Sequence, residues 1–238
     1  MMDLRKLKEM REQVFADMRT TRKDKYKGLI RGIRVFKYLM LLQTRFNFPE
    51  AFRRGEFLST YYALMHHIDD VVDDDVPLPT SARSKKEYVE QRLAFLSQSQ
   101  PPTDIADYLL LYSSHLADQL GYDIHSETED ILGSLLWDAH RTGSSKVFPK
   151  RELNHHFYLL DIRGTIRSML RLFDETPEKF EQLEYIGRAS RIYFNLKDLV
   201  SDIKAGIINI SQEDCHRHNI SPADLEVIAS NGNLPLSY

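Results

Sequence analysis

At 238 residues the chain is long enough for one large domain or two small ones. Hydrophobic residues make up 42% and charged residues 28%, a balance that can build a sizeable core, and a net charge of -3 gives no reason to expect nucleic acid as a partner. The single cysteine, Cys215, excludes an intramolecular disulfide and suits a reducing compartment.

Residues 1–45 carry thirteen Lys/Arg against five Asp/Glu. They read as solvated basic helix, with a phosphate-facing patch or contact with anionic lipid as sharper alternatives. The N-terminus is too charged for a secretory signal peptide, and no apolar run approaches the roughly 18 residues that span a bilayer. The expected location is the cytoplasm, with surface association at a membrane as a second reading. Asn47-Phe48-Pro49-Glu50 predicts a turn and a helix start, with Pro49 near the first helical position. Apolar steps of one and three in Phe57-Leu58-Tyr61-Tyr62-Met65 carry that helix forward, and Val76-Pro77-Leu78-Pro79 ends it. Gln100-Pro101-Pro102-Thr103 separates two further helices. The same period runs through Tyr108-Leu109-Tyr112-Leu116 and Leu132-Leu135-Leu136-Ala139. Thr142-Gly143-Ser144-Ser145 and Asp174-Glu175-Thr176-Pro177 read as loops, and Ala205-Gly206 closes a late helix. Strand-like alternation is scarce and no break is long enough for a linker. The expectation is an all-α chain folded as one domain over residues 1–238.

Two acidic elements stand out. In His66-His67-Ile68-Asp69-Asp70-Val71-Val72-Asp73-Asp74-Asp75, five of the seven residues from 69 to 75 are aspartate. Asp69 and Asp73 lie four apart and share a helix face, with Asp70 beside them. Carboxylates this close repel, and they oppose the helix dipole near a C-terminus, so the pattern predicts a bound cation. An oxygen-only donor set favours Mg²⁺, Mn²⁺ or Ca²⁺, and the spacing does not fit a calcium loop. The second element, Asn195-Leu196-Lys197-Asp198-Leu199-Val200-Ser201-Asp202, places Asp198 and Asp202 four apart on a predicted helix. Each element alone also reads as a solvated acidic helix. Together they could hold Mg²⁺ ions around one diphosphate, whose departure needs its charge neutralised. The allylic cation left behind requires a dry, aromatic-rich chamber, and twelve Tyr and twelve Phe are compatible with one.

Lesser signals read as structural. His155-His156 and Cys215-His216-Arg217-His218 read as surface or helix-end polarity, and Trp137 as core. Arg45, Arg53 and Arg54 are candidate phosphate contacts beside a solvated alternative. Arg191 lies one helical turn before the second acidic face.

These residues resemble the trans-isoprenyl diphosphate synthase superfamily, in particular its squalene and phytoene synthase branch. Tyr62 through Asp73 is similar to the branch's first signature. Asp198-Leu199-Val200-Ser201-Asp202 with Gly206-Ile207-Ile208-Asn209-Ile210 is similar to the second. Phe148-Pro149-Lys150, Phe157-Tyr158 and Gly164-Thr165 resemble the helix between them, which breaks near the family's reaction centre. The resemblance runs from about residue 38 to 230. It implies an isoprenoid synthase-type helical bundle around a central apolar cavity. It implies that Asp69, Asp70 and Asp73 bind Mg²⁺, with Mn²⁺ as an alternative, together with a diphosphate. Asp198 and Asp202 would bind Mg²⁺ from the facing helix, while Tyr62 and Tyr158 would line the reaction centre. Arg45, His66, Arg191, Asn195 and Lys197 stand where substrate-diphosphate contacts are expected. The implied reaction is head-to-head coupling of two prenyl diphosphates such as farnesyl or geranylgeranyl diphosphate. A reductive step with NADPH is left open, since the chain has no Gly-rich dinucleotide fingerprint and squalene-forming relatives lack one too.

The chain departs from the branch at several points. His66 replaces an arginine, Arg191 and Phe194 replace a glutamine and an asparagine, and Lys197 replaces an arginine with loss of bidentate geometry. Ile207-Ile208-Asn209 replaces a basic-x-Tyr pattern, and Arg163 and Arg167 flank a break where small residues are usual. The family continues with further helices beyond the point where this sequence stops, and a missing wall would open the cavity to water. Two other readings therefore accompany prenyl transfer: a class I terpene cyclase acting on one prenyl diphosphate, and a non-catalytic descendant serving as a binding or assembly protein.

Overall fold

The computed structural model describes residues 3–98 and 100–231, and every regular element among them is helical. The chain opens with an antiparallel pair, α1 (Leu4–Thr20) and α2 (Lys23–Gln43). Asp3 caps α1 by accepting from the backbone N–H groups of Arg5 and Lys6. α3 (Phe48–Val72) follows a short turn and begins with a proline, as its sequence predicts. It is buried on almost every side. Its polar interior residues stay satisfied because Ser59 and Thr60 donate to the carbonyls of Gly55 and Glu56, each at 2.8 Å.

α4 (Lys85–Ser97), α5 (Ile105–Gln119) and α6 (His125–Arg141) wrap the central helix. Ser84 caps α4 through the N–H of Glu87, and Asp104 caps α5 through that of Asp107. α1 to α6 supply nearly all of the main core, including Met18, Phe57, Leu64, Ile68, Leu109 and Leu132. α3 stands at the centre of that core, packed against α2, α5 and α6. Openings lie to the side, around the later helices.

The second half begins with one continuous rod. α7 (Lys150–Phe157) runs into a π-helix (Tyr158–Ile166) and then into α8 (Arg167–Leu172). The Thr165 hydroxyl donates to the carbonyl of Leu160, five residues back, at 2.8 Å. The wider turn falls on the segment whose sequence resembles a broken helix, and such insertions are frequent at functional sites. A 3-10 helix (Pro177–Leu183) leads to α9 (Glu184–Lys197). α9 rests on the π-helix through Gly187, its sole buried residue, where a Cβ would come within 2.9 Å of Ile162. α10 (Leu199–Lys204), α11 (Gln212–Arg217) and α12 (Pro222–Asn231) close the described chain. Ile203, Ile208, Leu225 and Ile228 form a second, smaller core there. Among the described residues no helix is long and apolar enough to cross a membrane.

Two lesser expectations change. His156 is buried rather than superficial: its Nδ1 meets the Ser134 hydroxyl at 2.7 Å and its ring stacks on Trp137 at 4.3 Å. Cys215 is also buried, while His216 and His218 are exposed.

The α4–α5 junction depends on Arg92, which is 1% exposed and bound to Asp107 at 2.9 Å and Asp104 at 3.1 Å. Arg92→Leu leaves Asp107 buried without its cation and is expected to destabilise the fold by about 3–5 kcal/mol in urea unfolding. Replacing both Arg92 and Asp107 with leucine should cost clearly less than Arg92→Leu alone.

Candidate functional site

The five aspartates at the end of α3 divide by partner. Asp70 is fully buried and turned toward α2, where Lys25 binds one oxygen at 2.6 Å and Arg22 and Tyr26 bind the other. Its expected place among the metal ligands is therefore taken by a cation network within the protein. Asp75 also binds Lys25, and Asp74 binds Lys85 at 2.6 Å. Asp69 and Asp73 lie one turn apart on the adjoining helix face, as the four-residue spacing predicts, and neither carboxylate has an ion pair or a hydrogen bond among the described residues.

What faces them is more acid. Burial, and then the charges of Asp138 and Asp75 against the opposing pull of Lys25 and Arg191, push Asp69 up to about 6. Burial and the Asp69 charge push Asp73 up to about 7. Asp73 is exposed, while Asp69, Asp198 and Asp202 are half-buried. Asp202 comes from α10, more than a hundred residues later. It is pushed up to about 6 by burial and by Asp198, with a further contribution from Asp73. The two acidic elements thus meet closely enough for their charges to act on each other.

The second element is not one continuous helix. α9 stops at Lys197, Asp198 forms the joint, and α10 restarts at Leu199. The N–H of Asp202 still donates to the carbonyl of Asp198 at 2.8 Å, so the two carboxylates stay one turn apart. The placement of α10 depends on Gly206, at φ 71°, where a Cβ would meet the Gly143 backbone at 2.7 Å. Gly143 N–H donates to the Ala205 carbonyl at 2.9 Å and Ser145 N–H to that of Gly206 at 3.0 Å. The end of α10 is thereby tied to the end of α6.

A buried bridge crosses the same junction. Arg141 Nε donates to Asp138 at 2.7 Å, its Nη1 donates to Asn209 Oδ1 at 2.7 Å, and Asn209 Nδ2 donates to Asp202 at 2.9 Å. His156 Nε2 approaches Asp138 at 3.4 Å, and burial holds this imidazole down at about 4. Asp138, Arg141 and Asn209 were not singled out as site residues from the sequence. A signal was present in α6, where Glu127, Ile131, Ser134, Asp138 and Arg141 follow one another at helical spacing. Charged residues there occupy a stripe that otherwise packs into the core.

The expected phosphate contacts separate into near and far. Arg191 is near: its guanidinium grips Asp161 of the π-helix through two bonds of 2.7 Å and lies 5.0 Å from the Phe157 ring. Its charge also reaches Asp69. Asn195, one turn on, lines with Arg191, Asn209 and Tyr158 a cleft of about 350 Å³ between α7, the π-helix and α9. Lys197 is exposed, with Nζ 3.4 Å from Asp198. His66 is packed between Tyr26 and Tyr62, with ring centroids at 5.4 and 6.2 Å, and burial pushes it down to about 4. Burial, with the charges of Lys25 and Arg22, thus favours its neutral form, in contrast to the arginine that the resemblance implies at that place. Arg45 lies in the turn before α3, about 30 Å from Asp69 by helical rise, so it does not belong to this site. Arg53 is exposed at the same far end, and Arg54 is buried in bonds to Glu50, Asp174 and the Leu172 carbonyl.

An apolar opening lies alongside. The Tyr62 hydroxyl reaches Met169 Sδ at 4.0 Å. Met169 in turn lines a space of about 270 Å³ with Ile166, Leu170, Phe173, Leu183 and Ile186. Tyr158 sits across the π-helix with its ring 6.3 Å from Phe180.

Among the described residues no three acidic or imidazole side chains converge tightly enough to chelate an ion alone. Neither of the two openings described above is lined by Asp69, Asp73, Asp198 or Asp202, whose oxygen donors are of the kind that hold divalent cations shared with a polyanion. Asp69, Asp73, Asp198 and Asp202 would be the ligands. No protein-family model, curated protein or solved structure matches the chain.

A pH dependence follows from the raised carboxylates. A buried aspartate with an elevated folded pKa keeps its proton when the unfolded chain has lost it. Stability therefore falls as pH rises from about 4 to 7, and the full cost is present above that range. A divalent cation would offset the cost. Mg²⁺ should raise the Tm at pH 7.5 and have a smaller effect at pH 5. Asp73→Asn should raise the metal-free Tm at pH 7.5 and remove most of the Mg²⁺ response. A wild-type Tm indifferent to Mg²⁺ and EDTA at pH 7.5 would count against a cation site.

Proposed function

We propose that this chain is a Mg²⁺-dependent prenyltransferase of the isoprenoid synthase type, close to the squalene and phytoene synthases. The observation that carries the reading is the selective neutralisation of the first acidic cluster. Asp70, Asp74 and Asp75 have lysine or arginine partners, while Asp69 and Asp73 face Asp202 and Asp138 without one. A protein that can supply cations to three neighbours and leaves these two bare is keeping them for a cation from solution.

Mg²⁺ at such a site neutralises the diphosphate and so eases departure of that group with the electron pair of the C–O bond. The chain's own residues would do the rest. Asp69, Asp73, Asp198 and Asp202 hold the ionic headgroup. Arg191, fixed by Asp161, adds positive charge at the same rim. Tyr62 and the apolar opening behind Met169 take the hydrocarbon and keep water from the allylic cation. The π electrons of a second prenyl unit would then form a carbon–carbon bond to that cation, and the new cation left on the second unit would be quenched by loss of a proton to the departed diphosphate.

Mass spectrometry of products from farnesyl and geranylgeranyl diphosphate with Mg²⁺ tests this directly. A product of doubled carbon number supports prenyl transfer, and a hydrocarbon or alcohol of unchanged carbon number assigns the chain to cyclisation. Diphosphate binding that ignores Mg²⁺ and EDTA would place it among non-catalytic binding proteins. Asp73→Asn and Asp202→Asn should each abolish turnover. Asn209→Ala, which breaks the bridge from Arg141 to Asp202 and removes no carboxylate, should weaken Mg²⁺-dependent diphosphate binding about tenfold to a hundredfold.

A further inference from the structure

We infer that the corner between α2 and α3 is a docking surface for an anionic lipid bilayer. This inference is independent of the diphosphate reading. The last turns of α2 and the first turns of α3 leave large apolar side chains uncovered. Phe46, Phe48 and Phe52 are 63%, 65% and 73% exposed, and Tyr38 and Leu42 on the outer face of α2 are 65% and 59% exposed. Five such groups within fifteen residues exceed the scattered exposure of an ordinary surface. Arg45 and Phe46 both hold positive φ, at 52° and 66°, a conformation that non-glycine residues rarely adopt. The four-residue turn is thus held in a shape that leaves Phe46 outward.

The charge around these rings selects the occupant. Arg31, Arg34, Arg45 and Arg53 are exposed on the same two helices and the turn. The sole acid between residues 31 and 54 is Glu50, which is bound by Arg54, and Asp174, which also reaches this end, is bound by Arg54 and Tyr122. Phenylalanine and leucine that enter the acyl boundary beside guanidinium groups at headgroup level are what an anionic membrane surface accommodates. A second copy of the chain fits poorly. A two-fold contact would set the same arginines against themselves, and like charges across an interface cost several kcal/mol. The acidic cluster lies at the other end of α3, about 30 Å away, so docking here leaves it free.

The test is co-sedimentation of the full chain with vesicles of phosphatidylcholine, or of equimolar phosphatidylcholine and phosphatidylglycerol, at low and high salt. The expected result is binding to the anionic vesicles alone, weakened by salt. Phe48→Ser with Phe52→Ser, and separately Arg45→Glu with Arg53→Glu, should each lower partitioning by about tenfold or more. These side chains are exposed, so thermal melts should stay close to the wild type. If the aromatic pair alone disturbs folding, the arginine pair still decides the matter. Wild-type protein that ignores both vesicles, or variants that bind as well as the wild type, would overturn the inference. So would a concentration-dependent dimer in sedimentation velocity that the same substitutions abolish, which would assign the corner to a second copy.

Discussion

Crowding of carboxylates is the constraint on which this molecule's candidate site depends. Asp69, Asp73, Asp138 and Asp202 come from three helices, and burial together with neighbouring carboxylate charges disfavours ionisation of Asp69, Asp73 and Asp202. Such an assembly persists only if the rest of the fold compels it. Compulsion comes from hydrogen-bonded and close-packed joints that lie outside the acidic space. Arg141 links Asp138 to Asn209, and Asn209 holds Asp202. Gly143 and Gly206 bring their backbones together so closely that no side chain fits between them. Arg191 clamps α9 to the π-helix through Asp161, and Gly187 lets the two helices approach. The cost of gathering the acids is met by interactions that a cation would not disturb.

The same physics explains why the other aspartates of the cluster are quiet. α2 runs beside the end of α3 and presents Arg22, Lys25 and Tyr26 to Asp70, with Lys25 extending to Asp75. Removing charge on one face of α3 steadies the helix terminus, where acids are unfavourable. It also makes the remaining face distinct. An acidic helix end that merely met solvent would have no need for such division of labour.

Much of the scaffold was legible in the sequence because it depends on local periodicity. The helical steps of Phe57 through Met65, the proline start at Pro49 and the closing turn at Gly206 follow from side-chain spacing and backbone freedom alone. The shared face of Asp69 and Asp73 is equally local. Asp70 was misplaced because its role depends on α2, forty-five residues away, and spacing within α3 cannot reveal a lysine on another helix. Arg45 was drawn to the site by position in a motif, but the unbroken length of α3 carries it to the opposite end. His66 stands where the resemblance implies a diphosphate contact, yet the rings of Tyr26 and Tyr62, one of them from another helix, pack against it and burial favours its neutral form. The joint at Asp198 was invisible for a different reason. A one-residue break that conserves the i to i+4 hydrogen bond leaves the helical pattern intact.

The apolar side of the site follows from the π-helix. A wider turn over Tyr158–Ile166 shifts the register of every later side chain on the rod, which turns Met169 toward Tyr62 while Asp161 stays in reach of Arg191. One short segment therefore serves the ionic rim with one residue and the apolar opening with another a few positions on. α9 contributes Arg191 and Asn195 to the rim on the face that meets the π-helix, and it leaves Tyr185, Ile192, Tyr193 and Leu196 uncovered on the others. An amphipathic helix that turns its polar, bonded face inward and its apolar face outward reverses the ordinary burial pattern. The ionic and apolar halves of the site are thus set by one helix pair, and a change at Gly187 that parted the pair would loosen both together.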